Sequence, residues 1–248
     1  MTRTERDVRI DLAAAYRLAA QRGWDDTVYT HISASVPGEP GAYLINRFGA
    51  RFDEISASNL VKVDTHGRVV DGSGARVNPS GFAIHGAVHA ARPELECVMH
   101  LHTQAGVALA MLPGGLRATS QWAMRLHGRL GRHAYEGLAL GADEQARLVA
   151  SLGQLDGVIL ENHGPLIVGR TVAEAWMLMY LFDRAAQAQL AAMAASGGKL
   201  GIVSDELAAL TYRQWVGDPT DPAAERDGDI EWPALVRGLD RSDPSYRD

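Results

Sequence analysis

Apolar and polar positions along the chain change period several times, and each change marks an expected element. From Thr4 to Arg22 the apolar residues Val8, Leu12, Ala15, Leu18 and Ala19 recur at helical spacing, and Gly23 ends the run. "VYTHISASVPG" then alternates with period two and stops at Pro37-Gly38, the pattern of a strand. "AYLINR" reads as a second strand. "SASNLVKVDTHGRVVDG" reads as a short turn, a strand, a tight turn at His66-Gly67 and a returning strand. "NPSGFAIHGAVHAARP" predicts a helix that starts at Ser80 and stops at Pro93. "CVMHLHT" is an apolar run holding two histidines and reads as a buried strand. "QAGVALAML" is a short helix, broken by Pro113-Gly114. Asp143 to Leu152 is helical, and "GVILENHGPLIVG" is an apolar hairpin interrupted by "ENHGP". Thr171 with Glu174 forms a capping-box pattern that opens a long helix to about Ala195. A further helix is expected from Ser204 to Val216. From Asp218 the chain is rich in Gly, Asp and Pro and is expected to wrap the surface or stay loosely ordered. One domain over residues 1–217 with a C-terminal tail over 218–248 follows. Strands joined by short turns, with few helices between them, favour a three-layer α/β/α sandwich with a mainly antiparallel central sheet.

Composition narrows the classes. The chain has 248 residues, 46% hydrophobic and 22% charged, an ordinary globular mix. Its net charge of -6 and the lack of basic clusters argue against nucleic acid as a partner. No apolar run reaches the roughly 20 residues that cross a bilayer. A single cysteine, Cys97, excludes an intramolecular disulfide framework, and the charged N-terminus lacks a signal-peptide core. The expectation is a soluble cytoplasmic protein.

The chemistry sits in the histidines. His100 and His102 are two apart in an apolar strand pattern, so their rings leave one face of the sheet together. Two neutral imidazoles on one face make half of a transition-metal site. His163 lies in a sharp turn between two apolar strands, where Gly164 lets the backbone bend. The three together look like a three-imidazole site with an open position, the arrangement of a catalytic metal. His85 and His89 are spaced i, i+4 on one helix face, with Phe82 sharing it. The plainer reading of that pair is a packed His85 and a half-exposed His89. His31 means little alone. His66 and His133, in polar turn-like stretches, are expected to be exposed, and His127 has no assigned role.

Taken in order, "THISASVPG", "SASNLVKVDTHGRVVDG", "NPSGFAIHGAVHAARPELECVMHLHT", "ILENHGPLIVG" and "TVAEAWMLMYLFDRAAQAQLAA" resemble the class II aldolase/adducin family over roughly residues 8 to 195. The resemblance implies an α/β/α sandwich, a tetramer with the site near a subunit interface, and zinc at the positions of His100, His102 and His163. The family includes sugar-phosphate aldolases, an epimerase, non-catalytic adducin and, among relatives, non-haem iron oxygenases. The chain also departs from the family. The aldolases carry a glutamate acid/base in a "P-S-S-E" segment, whereas this chain reads Asn78-Pro79-Ser80-Gly81-Phe82. The glutamate position falls on Gly81 or Phe82, and neither is a carboxylate. Of the phosphate-gripping serines Ser80 remains, and His31 replaces an asparagine that helps hold the phosphate. The chain thus resembles an adducin-like bacterial branch without the acid/base glutamate.

Three neutral imidazoles leave a divalent ion its full charge, which favours an anionic substrate. The leading expectation is a metal-dependent lyase that breaks or forms a C–C bond through a metal-stabilised enolate. Its substrate would be a small anionic oxygenated molecule other than a sugar phosphate. His31 and His85 would take catalytic roles, Ser80 and Gly81 would contact substrate, and His100, His102 and His163 would hold one divalent ion. Zinc leads, with iron or manganese as alternatives; ligand softness does not decide, because imidazole suits the late divalent metals in general. A three-histidine non-haem iron oxygenase and a non-catalytic adducin-like binding protein are the other readings. A homo-oligomer, most simply a tetramer, is expected.

Overall fold

The computed structural model describes residues 3–137, 141–217, 221 and 224–248, except for the side chains of Ser80, Phe82 and Ala142. Helix α1 (Glu5–Gln21) begins at a capping box in which the Thr4 hydroxyl accepts the Asp7 N–H and the Asp7 carboxylate accepts that of Thr4. Its apolar stripe, Val8, Leu12, Ala15, Leu18 and Ala19, is buried as the spacing predicts. Strands β1 (His31–Ser35), β2 (Ala42–Ile45) and β3 (Val61–Asp64) follow, then helix α2 (Pro79–Ala91) and strand β4 (Cys97–His100). Next come α3 (Gln104–Ala110), α4 (Gln121–Met124), β5 (Leu130–His133), α5 (Ala142–Leu152), β6 (Gly157–Leu160) and β7 (Gly164–Gly169). The chain closes with α6 (Val172–Ala195), α7 (Asp205–Val216) and α8 (Glu231–Ser242).

The seven strands form one sheet in the order β3-β2-β1-β4-β7-β6-β5, antiparallel throughout except for β5 beside β6. That parallel pair is joined through α5, the crossover a parallel connection requires. Strand alternation divides the core between two helical layers. Ile32, Ala34, Cys97, Met99 and Ile167 face α1 and α6, while Val98, Leu166 and Val168 pack with Ile84 and Val88 of α2 and Leu148 and Leu152 of α5. The expected three-layer sandwich with a mainly antiparallel sheet is therefore the observed one.

Several local expectations change. The returning strand after His66-Gly67 shrinks to a single bridge between Val63 and Val69. Side chains take the backbone donors there: the Asp64 carboxylate accepts from His66 and Arg68, and the Asp71 carboxylate from Lys62. The capping box at Thr171 is half formed. Its hydroxyl accepts the Glu174 N–H, but the Glu174 carboxylate turns to the Arg170 N–H and guanidinium. Strand β5, which lacks any alternation, carries His133 to the sheet edge. That ring is buried rather than exposed, with Nδ1 3.0 Å from the Ser151 hydroxyl.

The C-terminal segment carries α8, whose Trp232 and Leu239 join the core on α1, as does Tyr246 beyond it. The Trp232 indole donates to Asp11, and the carbonyls of Tyr246 and Asp248 accept from the N–H groups of Ala57 and Ser58. Residues 218–220, 222 and 223, in the segment expected as a tail, lie outside the described residues. Among the described residues no helix is long and apolar enough to cross a membrane.

Candidate metal centre

The alternation of β1 places Ile32 and Ala34 toward α1 and leaves His31, Ser33 and Ser35 facing α2. His31 pairs in register with His100 of β4, so one imidazole from each strand reaches the same end of the sheet. At that end the Tyr16 hydroxyl, on α1, accepts the N–H groups of Ile32 and Asn46 and holds β1 and β2 together beyond their ladder.

His102 does not lie in the strand as expected. Strand β4 ends at His100, and His102 sits in the following turn, just before Thr103 caps α3. The expected same-side placement survives, because Leu101 stays buried and the chain has not yet turned away. The third ring comes from the β6–β7 turn. Asn162 is left-handed (φ 58°) and Gly164 has φ 156°, where a Cβ would stand 3.3 Å from the Leu101 carbonyl. This sharp turn aims His163 back at β4.

The three side chains converge. Nε2 of His100 lies 3.2 Å from Nε2 of His163 and 3.2 Å from Nε2 of His102. Outer contacts fix the tautomers: Nδ1–H of His100 donates to the Pro165 carbonyl at 3.0 Å, and Nδ1–H of His102 to the Asp26 carboxylate at 2.9 Å. Both Nε2 atoms therefore present lone pairs to one point, an arrangement that repels itself unless a cation lies between. A tetrahedral ion with metal–nitrogen bonds of about 2.0–2.1 Å sets its ligands about 3.3 Å apart, so the residues fit a bound divalent ion. Burial, then His163 and His102, holds the His100 ring well below its ordinary pKa; burial, then His102, pulls His163 down to about 4. Both rings are neutral, the ligating form, near pH 7.

His31 lies beside this centre and is buried, with no partner for either ring nitrogen among the described residues. Burial first, and then His102 and His163, pulls its pKa down to about 4. Gly81 packs on its ring: a Cβ at Gly81 would fall 2.8 Å from Cδ2 and Nε2 and 2.9 Å from Cε1. His85 meets His31 edge to face, ring centres 5.7 Å apart. The structure thus brings His31, His85 and Gly81 together; the side chain of Ser80 lies outside the described residues. His89 is buried, not half-exposed, because Ser33 and Ser35 bond both its ring nitrogens and Tyr43 stacks on it at 4.7 Å. Sequence reasoning passed over Asp26, which belongs to no spacing pattern, and Ser33, which the alternation of "HISAS" could have revealed.

Comparison with known proteins points to one family. The profile of the Class II Aldolase and Adducin N-terminal domain matches residues 10–190. The crystal structure of an aldolase II superfamily protein from Pseudomonas syringae is 43% identical, with TM-score 0.92, covering 100% of this chain and 98% of that one. The L-fuculose 1-phosphate aldolase from Glaciozyma antarctica PI12 is 28% identical with TM-score 0.85, over 98% of this chain and 93% of that one. Alpha-adducin of Rattus norvegicus is 36% identical over 95% of this chain, which spans 33% of its length.

Proposed function

The chain belongs to the class II aldolase and adducin family, and from that premise we propose that it is a metal-dependent lyase acting on a small anionic oxygenated substrate other than a sugar phosphate. The convergence of three Nε2 atoms, two with their lone pairs fixed by Pro165 and Asp26, carries this reading. His100, His102 and His163 hold one divalent ion, zinc before iron or manganese. When bound, it supplies the positive charge that stabilises negative charge developing on substrate oxygens as a C–C bond breaks. His31, neutral and with both nitrogens free of partners among the described residues, contacts the substrate. His85, whose Nε2 is also unpartnered, accepts the proton that a glutamate would otherwise take. Ser80 and Gly81 border the substrate at the start of α2. Ring and glycine fill each other's space where a phosphate-binding segment would stand, which argues against a sugar phosphate held in the family's manner. The working form is a cytoplasmic homo-oligomer, a tetramer, with no nucleic-acid partner.

A second reading draws on alpha-adducin, 36% identical over nearly the whole chain, and on the missing carboxylate: a binding protein without turnover. The test is a panel of hydroxy acids, keto acids and sugar phosphates, run with metal analysis on protein purified without added metal. Retro-aldol cleavage of an acid, with zinc or manganese, supports the proposal. Cleavage of L-fuculose 1-phosphate at an ordinary enzymatic rate refutes its substrate class. Iron with oxygen uptake marks an oxygenase, and no metal marks the binding protein.

A further inference from the structure

Between β1 and α2 runs a chain of polar contacts that the metal centre does not use. Ser35 Oγ lies 3.3 Å from the Leu95 carbonyl and 3.1 Å from Nδ1 of His89. Nε2 of His89 is 2.8 Å from Ser33 Oγ, which is 2.6 Å from Nδ1 of His85. Nε2 of His85 is buried without a partner among the described residues. The outer end, at Ser35 and His89, borders a surface groove that Glu94 and Glu96 also line.

A hydroxyl has one proton to donate, and a neutral imidazole has one donor and one acceptor nitrogen. Those two rules leave one arrangement that satisfies every contact. The Leu95 carbonyl can only accept, so Ser35 donates to it. His89 must then donate Nδ1–H to Ser35, and its Nε2 accepts. Ser33 donates to that Nε2, so His85 must donate Nδ1–H to Ser33. Nε2 of His85 is left with a bare lone pair beside His31.

We propose that Ser35, His89 and Ser33 are positioning residues that lock His85 into its Nδ1–H tautomer and so keep Nε2 of His85 available as a proton acceptor. A free neutral imidazole favours the opposite, Nε2–H, form, so without the chain the acceptor would be mostly masked. Burial first, and then His31 and His89, holds the pKa of His85 well below its ordinary value. Burial alone pulls His89 down to about 3, so the all-neutral premise holds near pH 7. Tyr43, stacked on His89 with its ring tilted by 27°, keeps that ring in the plane the two serines need. The catalytic use of the lock rests on the lyase reading, whereas the tautomer itself does not.

The test is nitrogen NMR of the full-length protein with labelled histidine at neutral pH, the rings assigned with His85→Gln and His89→Gln variants. Wild-type protein is expected to show Nδ1–H tautomers at both positions. Ser33→Ala should change the His85 tautomer ratio about fivefold or more toward Nε2–H, the equivalent of the roughly 1 kcal/mol of one hydrogen bond. Its backbone spectrum and metal content should stay as in wild type. Should Ser33→Ala fail to fold, Ser35→Ala at the half-buried outer end is expected to loosen the His89 tautomer first and His85 with it. Protonated Nε2 on His85 in the wild-type protein, or an unchanged ratio in Ser33→Ala, overturns the proposal. A locked tautomer in a protein that cleaves none of the substrates sinks the lyase reading and leaves this assignment standing.

Discussion

Gly81 and His31 make a contact whose strength can be worked from the structure. Replacing Gly81 with alanine sets a methyl carbon 2.8–2.9 Å from three atoms of the His31 ring. Unstrained carbon contacts fall near 3.5–4.0 Å, so the ring must retreat by about 0.6–1.2 Å. It has little room, since only 4% of His31 is exposed and His85 stands against it. Overpacking of this kind costs about 1–3 kcal/mol. Alanine in place of glycine inside a helix returns up to about 1 kcal/mol, less in the first turn where Gly81 lies. Gly81→Ala should therefore be destabilising by about 0–3 kcal/mol in the wild-type background. Once His31→Ala has removed the ring, the same change should be neutral or stabilising by up to about 1 kcal/mol. The assay is a double-mutant cycle by denaturant unfolding, with an expected coupling of about 1–3 kcal/mol. A coupling below about 0.5 kcal/mol would show that ring and glycine do not share the space, and the account of the missing phosphate grip would fall with it. Gly81→Glu meets the same ring, so restoring a carboxylate there alone should not restore sugar-phosphate chemistry.

Two further outcomes follow from neighbouring contacts. Asp26→Asn should weaken metal affinity about 10–100-fold, read by chelator competition, because the charged acceptor of His102 Nδ1–H is lost; unchanged affinity would remove Asp26 from the centre. His89 has its folded pKa lowered from 6.5 to about 3, so between those values the unfolded chain binds a proton that the folded chain does not. Stability is therefore full above pH 6.5 and falls as the pH drops toward 3, by at most about 1.4 kcal/mol per pH unit for this residue. His89→Gln should have a shallower acid limb in unfolding titrations, and equal slopes for variant and wild type would refute the burial argument.

Much of this could be read from local pattern. The apolar runs around His100 and His163 fix two adjacent strands, and the histidine spacing within and between them already points to one shared ion. The "HISAS" alternation and the i, i+4 pair His85 and His89 are also visible in the sequence. What the sequence did not say is that α2 lies directly over β1, and without that stacking Ser33 has no visible partner. Asp26 was illegible for a different reason: it reaches His102 from a loop, across 76 residues, with no periodicity to announce it. The burial of His133 departs from expectation because an edge strand with little buried surface needs no alternation, so "LGRH" looks like a turn. The returning strand after Gly67 failed because carboxylates of Asp64 and Asp71 compete for the ladder's donors, a contest that hydrophobic pattern does not register.

The central claim is that three imidazoles hold one divalent ion. The most direct measurement is elemental analysis of wild-type protein and His102→Ala, both purified without added metal. His102 is half-buried in a turn, so its loss should leave the fold intact by circular dichroism and thermal melting. The account predicts about one equivalent of zinc, manganese or iron in the wild-type protein, and less than about a tenth of that in the variant, since a structured site that loses one of three protein ligands loses most of its affinity. A folded variant that keeps its full equivalent of metal would contradict it.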